Sequence, residues 1–111
     1  MSKNRQVDDY LNDMSEAISD IATFVENMSF EDFAADKKTT NAVIRSLEVL
    51  GEATKNIPTS IRNQHPDIPW SQMAGMRDVL IHNYMGVDLM TVWKVIKERL
   101  PGLESKIKKI P

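Results

Sequence analysis

A chain of 111 residues with net charge −2, 41% hydrophobic and 27% charged, is long enough for one hydrophobic core and too short for two, so one domain over residues 1–111 is expected. The absence of cysteine excludes disulfides, thiolate catalysis and cysteine-ligated zinc, and fits a reducing cytoplasm. No apolar run approaches the ~18–20 residues that span a bilayer, and the N-terminus turns acidic where a signal peptide would be apolar, which points to a soluble cytoplasmic protein without a membrane partner.

Val7, Tyr10, Leu11, Met14, Ile18, Ile21, Phe24, Val25 and Met28 recur at three- and four-residue steps and predict a first helix from about residue 5 to 28. Ser29 with Asp32 three residues on forms a capping pair for a short turn, Phe30 to Ala35. Asp36 then caps a second long helix, with Val43, Ile44, Leu47, Leu50, Ala53 and Ile57 as its stripe. Pro58 stops it, because an interior proline loses a hydrogen bond and clashes with the preceding turn. Residues 58–70 contain three prolines and read as a connector with at most one helical turn, where His65 before Pro66 serves a turn. A third helix runs from about Pro69 to Tyr84, with Gly86 marking its end. Asp88 caps a fourth, whose Leu89, Val92, Trp93, Ile96 and Leu100 face inward until Pro101-Gly102 breaks it. Leu103, Ile107 and Ile110 continue in a last short helix, and Trp70 and Trp93 are expected as core anchors. With no convincing period-two segment, the fold class is all-α, an up-down bundle of four main helices plus short helical turns.

Charge is unevenly spread. Residues 1–36 hold two basic and nine acidic side chains, whereas residues 94–111 hold six basic and two acidic ones. The first segment repels a polyanion and the last attracts one.

The chemistry-bearing stretch is Arg77-Asp78-Val79-Leu80-Ile81-His82-Asn83-Tyr84. The planar guanidinium of Arg77 suits a phosphate, and an imidazole such as His82 moves protons near neutral pH. On an ideal helix Arg77 and Tyr84 fall within about 20° of one another, whereas Arg77 and His82 are roughly 140° apart. Either the helix unwinds near His82, or a two-fold dimer brings two copies of the motif together. Asp78 is one turn before His82 and is placed to orient its ring. On the second helix Arg45, Glu48, Glu52 and Lys55 form another polar set around Gly51, and Glu52 could orient Arg77 or His82 if the two helices pack together. The two histidines are too far apart in sequence to suggest a metal pair, and neither metal nor cofactor is expected.

The segments Ala42–Ala53, Ile68-Pro69-Trp70 and Gly75–Tyr84, with Val87-Asp88 and Val92-Trp93 behind them, resemble the HepT-like toxins of the HEPN superfamily over nearly the whole chain. The resemblance implies a helical homodimer with the Arg-x-x-x-x-His motifs at its two-fold interface. It also implies a metal-independent endoribonuclease acting as the toxin of a toxin–antitoxin pair, with Arg77 and His82 catalytic, beside which Asp78, Glu52 and Arg45 are the supporting residues that the helix spacing suggests. The implied antitoxin is a minimal nucleotidyltransferase that transfers AMP to the motif tyrosine, here Tyr84. A different class of function, a non-catalytic nucleotide- or partner-binding companion of such a transferase, uses the same residues.

Overall fold

Three of the helix starts are set by local side-chain chemistry at the positions the sequence marks. The computed structural model describes residues 6–82 and 88–110, with side chains described up to Met76 and again from Asp88. Ser29 and Asp32 cap each other, Asp32 N donating to Ser29 Oγ at 3.1 Å and Ser29 N to Asp32 Oδ2 at 3.1 Å. Asp36 accepts from Thr39 N at 3.2 Å and from Thr39 Oγ1 at 2.8 Å. Asp88 does the same for Met90 N at 3.0 Å and Thr91 Oγ1 at 2.9 Å. The bonds from Asp32 N, Thr39 N and Met90 N satisfy donors left open in a first helical turn, and the others hold the capping side chains in place.

The helices are α1 (Val7–Phe24), α2 (Phe30–Ala35), α3 (Lys37–Lys55), α4 (Thr59–Gln64), α5 (Trp70–His82), α6 (Leu89–Lys94) and α7 (Leu103–Lys108), with a π-helical turn, Val95–Arg99, following α6. No strand occurs among the described residues, so the all-α expectation holds. α1 packs along α3, α3 along α5, α7 returns to α1, and α2 bridges α3 and α6. Met14, Ile21, Phe33 and Val43 have no exposed surface at the centre of this core. Trp70 is buried and its indole N–H donates to His65 O at 2.9 Å, while Trp93 is half-buried and packs its ring against Phe33 with centroids 5.1 Å apart. Both tryptophans therefore anchor the core, and His65 serves a turn by accepting from Ile68 N at 3.2 Å.

Several boundaries differ from the periodic pattern. α1 ends at Phe24 rather than near residue 28, and Asn27 adopts φ 64° in the left-handed region that asparagine tolerates. The apolar stripe outruns the helix because Val25, though in the turn, is still buried. α3 stops at Lys55, ahead of Pro58, which instead precedes α4. The connector holds six helical residues, more than the single turn its prolines suggest. It is fastened by Arg62, whose Nε donates to Ile57 O at 3.0 Å and whose second guanidinium nitrogen donates to Thr54 O at 2.8 Å. The fourth helix is not uniformly α: Leu100 N bonds back to Val95 O at 3.1 Å, the wider π spacing.

Candidate functional site

α5 is α-helical through His82, so its backbone carries Arg77, Asp78 and His82 on one regular helix. Regular geometry keeps the Arg77 and His82 backbone positions about 140° apart and about 7.5 Å along the axis. The side chains of Arg77, Asp78 and His82 lie outside the described residues, as do Tyr84, Asn83 and Gly86 and the expected helix end at Tyr84.

The two supporting residues on α3 are both described. Arg45 is exposed and forms an ion pair with Glu48 at 3.6 Å, one turn away. Glu52 is exposed, and its backbone carbonyl accepts from Asn56 Nδ2 at 2.9 Å. Seven residues apart, they share the hydrated side of α3, while Val43, Leu47, Leu50 and Thr54 make up its buried side. α3 does pack along α5, and Gly51 is buried.

Leading up to Arg77, Trp70 and Met73 are buried, Met76 is half-buried, and Ser71, Gln72 and Gly75 are exposed. A groove of about 230 Å³ opens beside this part of α5, bounded by Pro69, Met73 and Met76, by Val95 and Arg99 of the π turn, and by Leu103 of α7. Arg99 donates to Gln72 Oε1 at 3.0 Å at its rim. Sequence reasoning missed this pair, because 27 residues separate the two and neither belongs to a motif. It also missed Arg62 as the cap of the α3 C-terminus. There a signal did exist, since a cation soon after a helix stop is suited to the open carbonyls of the last turn.

Much of the C-terminal basic charge is already paired. Lys106 reaches Asp67 Oδ2 at 3.7 Å, Lys108 reaches Glu104 at 3.1 Å, and Lys97 lies over the Trp93 ring at 5.0 Å. The two cap carboxylates titrate below the usual aspartate range. Hydrogen bonds from the Thr39 side chain and backbone lower Asp36, and the Thr91 hydroxyl followed by Met90 N lowers Asp88. Among the described residues no three His, Asp or Glu side chains gather as a metal site, and no helix is long and apolar enough to cross a membrane.

The family model described as ribonuclease HepT-like matches residues 14–110. A protein of Thermococcus cleftensis named "Probable ribonuclease HepT" is 54% identical over 102 residues, covering 92% of this chain and 93% of that one. "Putative RNase MJ1216" of Methanocaldococcus jannaschii is 45% identical over 106 residues, covering 96% and 88%. "Putative RNase TTE0752" of Caldanaerobacter subterraneus is 48% identical over 86 residues, covering 78% and 77%. No solved structure matches the chain.

Proposed function

The chain belongs to the HepT-like ribonuclease family, and we propose that it is a metal-independent endoribonuclease, the toxin of a type VII toxin–antitoxin pair, with its site composed across a homodimer interface. The observation that carries this is the Arg77-x-x-x-x-His82 motif on α5 in a chain 54% identical to a protein named as a probable ribonuclease. The unbroken helix through His82 supports the composite site. With the helix regular up to His82, the two backbone positions stay about 140° apart, and a second copy can complete the set.

The chemistry needs a base, an acid and a cation. One His82 takes the proton of the ribose 2′-hydroxyl, whose oxygen attacks the neighbouring phosphorus. The 5′-oxygen leaves and receives its proton from the partner's His82. Arg77 binds the phosphate and stabilises the charge that builds on its oxygens. The products are a 2′,3′-cyclic phosphate and a 5′-hydroxyl. Asp78 orients the imidazole, and Glu52 and Arg45 on the adjacent α3 support the set.

Neutralisation uses Tyr84. The phenol oxygen, giving up its proton, attacks the α-phosphorus of ATP held by a minimal nucleotidyltransferase antitoxin and displaces pyrophosphate, so that the AMP left on it adds bulk and negative charge beside the cleft where RNA enters. The protein works in the cytoplasm.

Purified His82→Ala and Arg77→Ala proteins tested against an RNA substrate, with dimerisation followed by light scattering, check the catalytic part. Cleavage is expected to fall by at least about 100-fold while the assembly persists. If His82→Ala cuts as well as the unmodified protein, the mechanism is wrong. Expression that is harmless without the transferase would favour the non-catalytic binding companion instead. A mass increase on Tyr84 equal to AMP, lost in Tyr84→Phe, tests the neutralisation.

A further inference from the structure

Two grooves of similar size flank the C-terminal helices, and their charges differ. The groove of about 260 Å³ between the end of α1 and the π turn sets Lys97 beside Glu26 and Glu104, so a phosphate entering it meets two carboxylates. The groove of about 230 Å³ beside α5 has, among the described residues, no carboxylate in its lining. Among the described residues its single charged group is Arg99, which pairs with the neutral amide of Gln72 and with no acid. A guanidinium held by an amide keeps its charge and spare donors for an anion.

The walls suit a flat heteroaromatic ring. Pro69, Met73, Met76 and Val95 are apolar, and the two thioethers are polarisable and adapt to a ring face. The Gln72 amide provides a donor and an acceptor for a base edge. The volume lies below the roughly 300–1,000 Å³ of sites for drug-sized ligands, which fits one base better than a whole nucleotide or a peptide helix. Position adds a further constraint: Met76 directly precedes Arg77 on α5, and Gln72 is about 7.5 Å along the axis from it.

We propose that this groove is an RNA subsite that seats one base next to the scissile phosphate, with Arg99 on the adjoining phosphate and Gln72 on the base edge. It rests on the ribonuclease reading and adds a substrate contact outside the Arg77–His82 motif. The π turn carries Arg99, which reaches Gln72 of α5 at 3.0 Å.

The test uses the full chain with Arg99→Ala, Arg99→Lys and Gln72→Ala. Cleavage kinetics are measured on a single-stranded RNA, and binding on its 2′-O-methyl analogue, which lacks the nucleophile. Arg99→Ala is expected to raise KM and the analogue Kd about tenfold, with a smaller effect on kcat, and to reduce the salt dependence of binding by about one phosphate contact, a slope change of ~0.7. Arg99→Lys restores part of the binding. Gln72→Ala alters the preference among oligonucleotides differing only in the base beside the cleavage point. If the unmodified protein cleaves and Arg99→Ala matches it in KM and salt slope, the subsite is wrong and the ribonuclease reading stands. If Arg99→Ala instead dissociates the dimer, the groove is a contact between copies and the subsite is again wrong. If the unmodified protein neither binds nor cuts RNA, the ribonuclease reading fails and takes the subsite with it.

Discussion

The α1–α3 pair and the α6–α7 arm are built differently from the same residue types. α1 and α3 are unbroken helices of 18 and 19 residues whose buried positions follow one stripe, and the chain that leads into α3 is acidic. The C-terminal arm is basic and passes from α-helix to π turn to a Pro-Gly break within Leu89–Leu103. Regular geometry fills a core and leaves little freedom to aim a polar side chain elsewhere. Broken geometry gives up helical bonds but sets side chains such as Arg99 against a neighbouring helix. The difference puts most of the core in one region and the candidate Arg99 contact in the other, while α3 and α5 carry the remaining candidate site residues.

Phe33 is the sharpest test of that division, because it joins the two regions. It projects from α2 with no exposed surface and packs against Trp93 of α6, while Phe30 adds an edge contact at 6.3 Å. Phe33→Ala is expected to cost about 3–5 kcal/mol in urea unfolding, a large share of the ~5–15 kcal/mol that holds a small domain together. One cooperative transition at lower urea would show a shared core. A loss below about 1 kcal/mol, or two separate transitions, would show that the arm folds independently of α1 and α3. Phe24→Ala, at 38% exposure, provides the comparison and should cost about 1–2 kcal/mol, well below Phe33→Ala.

The same division decides what could be read from the sequence. Caps and stripes are local, so Ser29, Asp36 and Asp88 announce their helices and the apolar stripes announce the core. Val25 and Ile57 misled the boundaries because burial continues into turns, and burial rather than helicity is what periodicity detects. The motif on α5 was legible as a candidate for phosphate and proton chemistry, and the preceding Gly-Met, the following Tyr84 and the Gly-Glu-Ala and Ile-Pro-Trp segments made it specific, since Arg and His five residues apart are common by themselves. The groove at Gln72 and Arg99 was not. It depends on a π turn that nothing in Val95–Arg99 announces, and on the packing that brings that turn beside α5.

Arg62 gives an intermediate effect. Its two bonds to Thr54 O and Ile57 O close the end of α3 and tie the connector down before α5 begins. Arg62→Met keeps most of the aliphatic stem and removes both charge-assisted bonds, so a loss of roughly 1–2 kcal/mol is expected for a half-buried site. Hydrogen exchange should quicken at the end of α3 and through α4 and remain slow in the middle of α1. If exchange quickens equally everywhere, Arg62 supports the whole core rather than its own junction.

The smallest effect compares the two cap carboxylates, one on each side of the division. Both are held below the usual aspartate range, about 3.9, chiefly by a threonine hydroxyl and a backbone N–H. A carboxylate whose folded pKa is depressed binds its proton less readily when folded. Its contribution is therefore fully present above the unfolded value and is lost as pH falls through the folded one. Stability should decline on the acid side of about pH 4, and Asp36→Asn and Asp88→Asn should each flatten that decline slightly, because asparagine caps without titrating. The causes are local and of the same kind in both cases, with a nearby lysine the smallest of them, so the two variants should flatten it alike. A much larger change for Asp88→Asn would mean that its attraction to Lys94 outweighs the threonine bond, as the attraction of Asp36 to Lys38 does not.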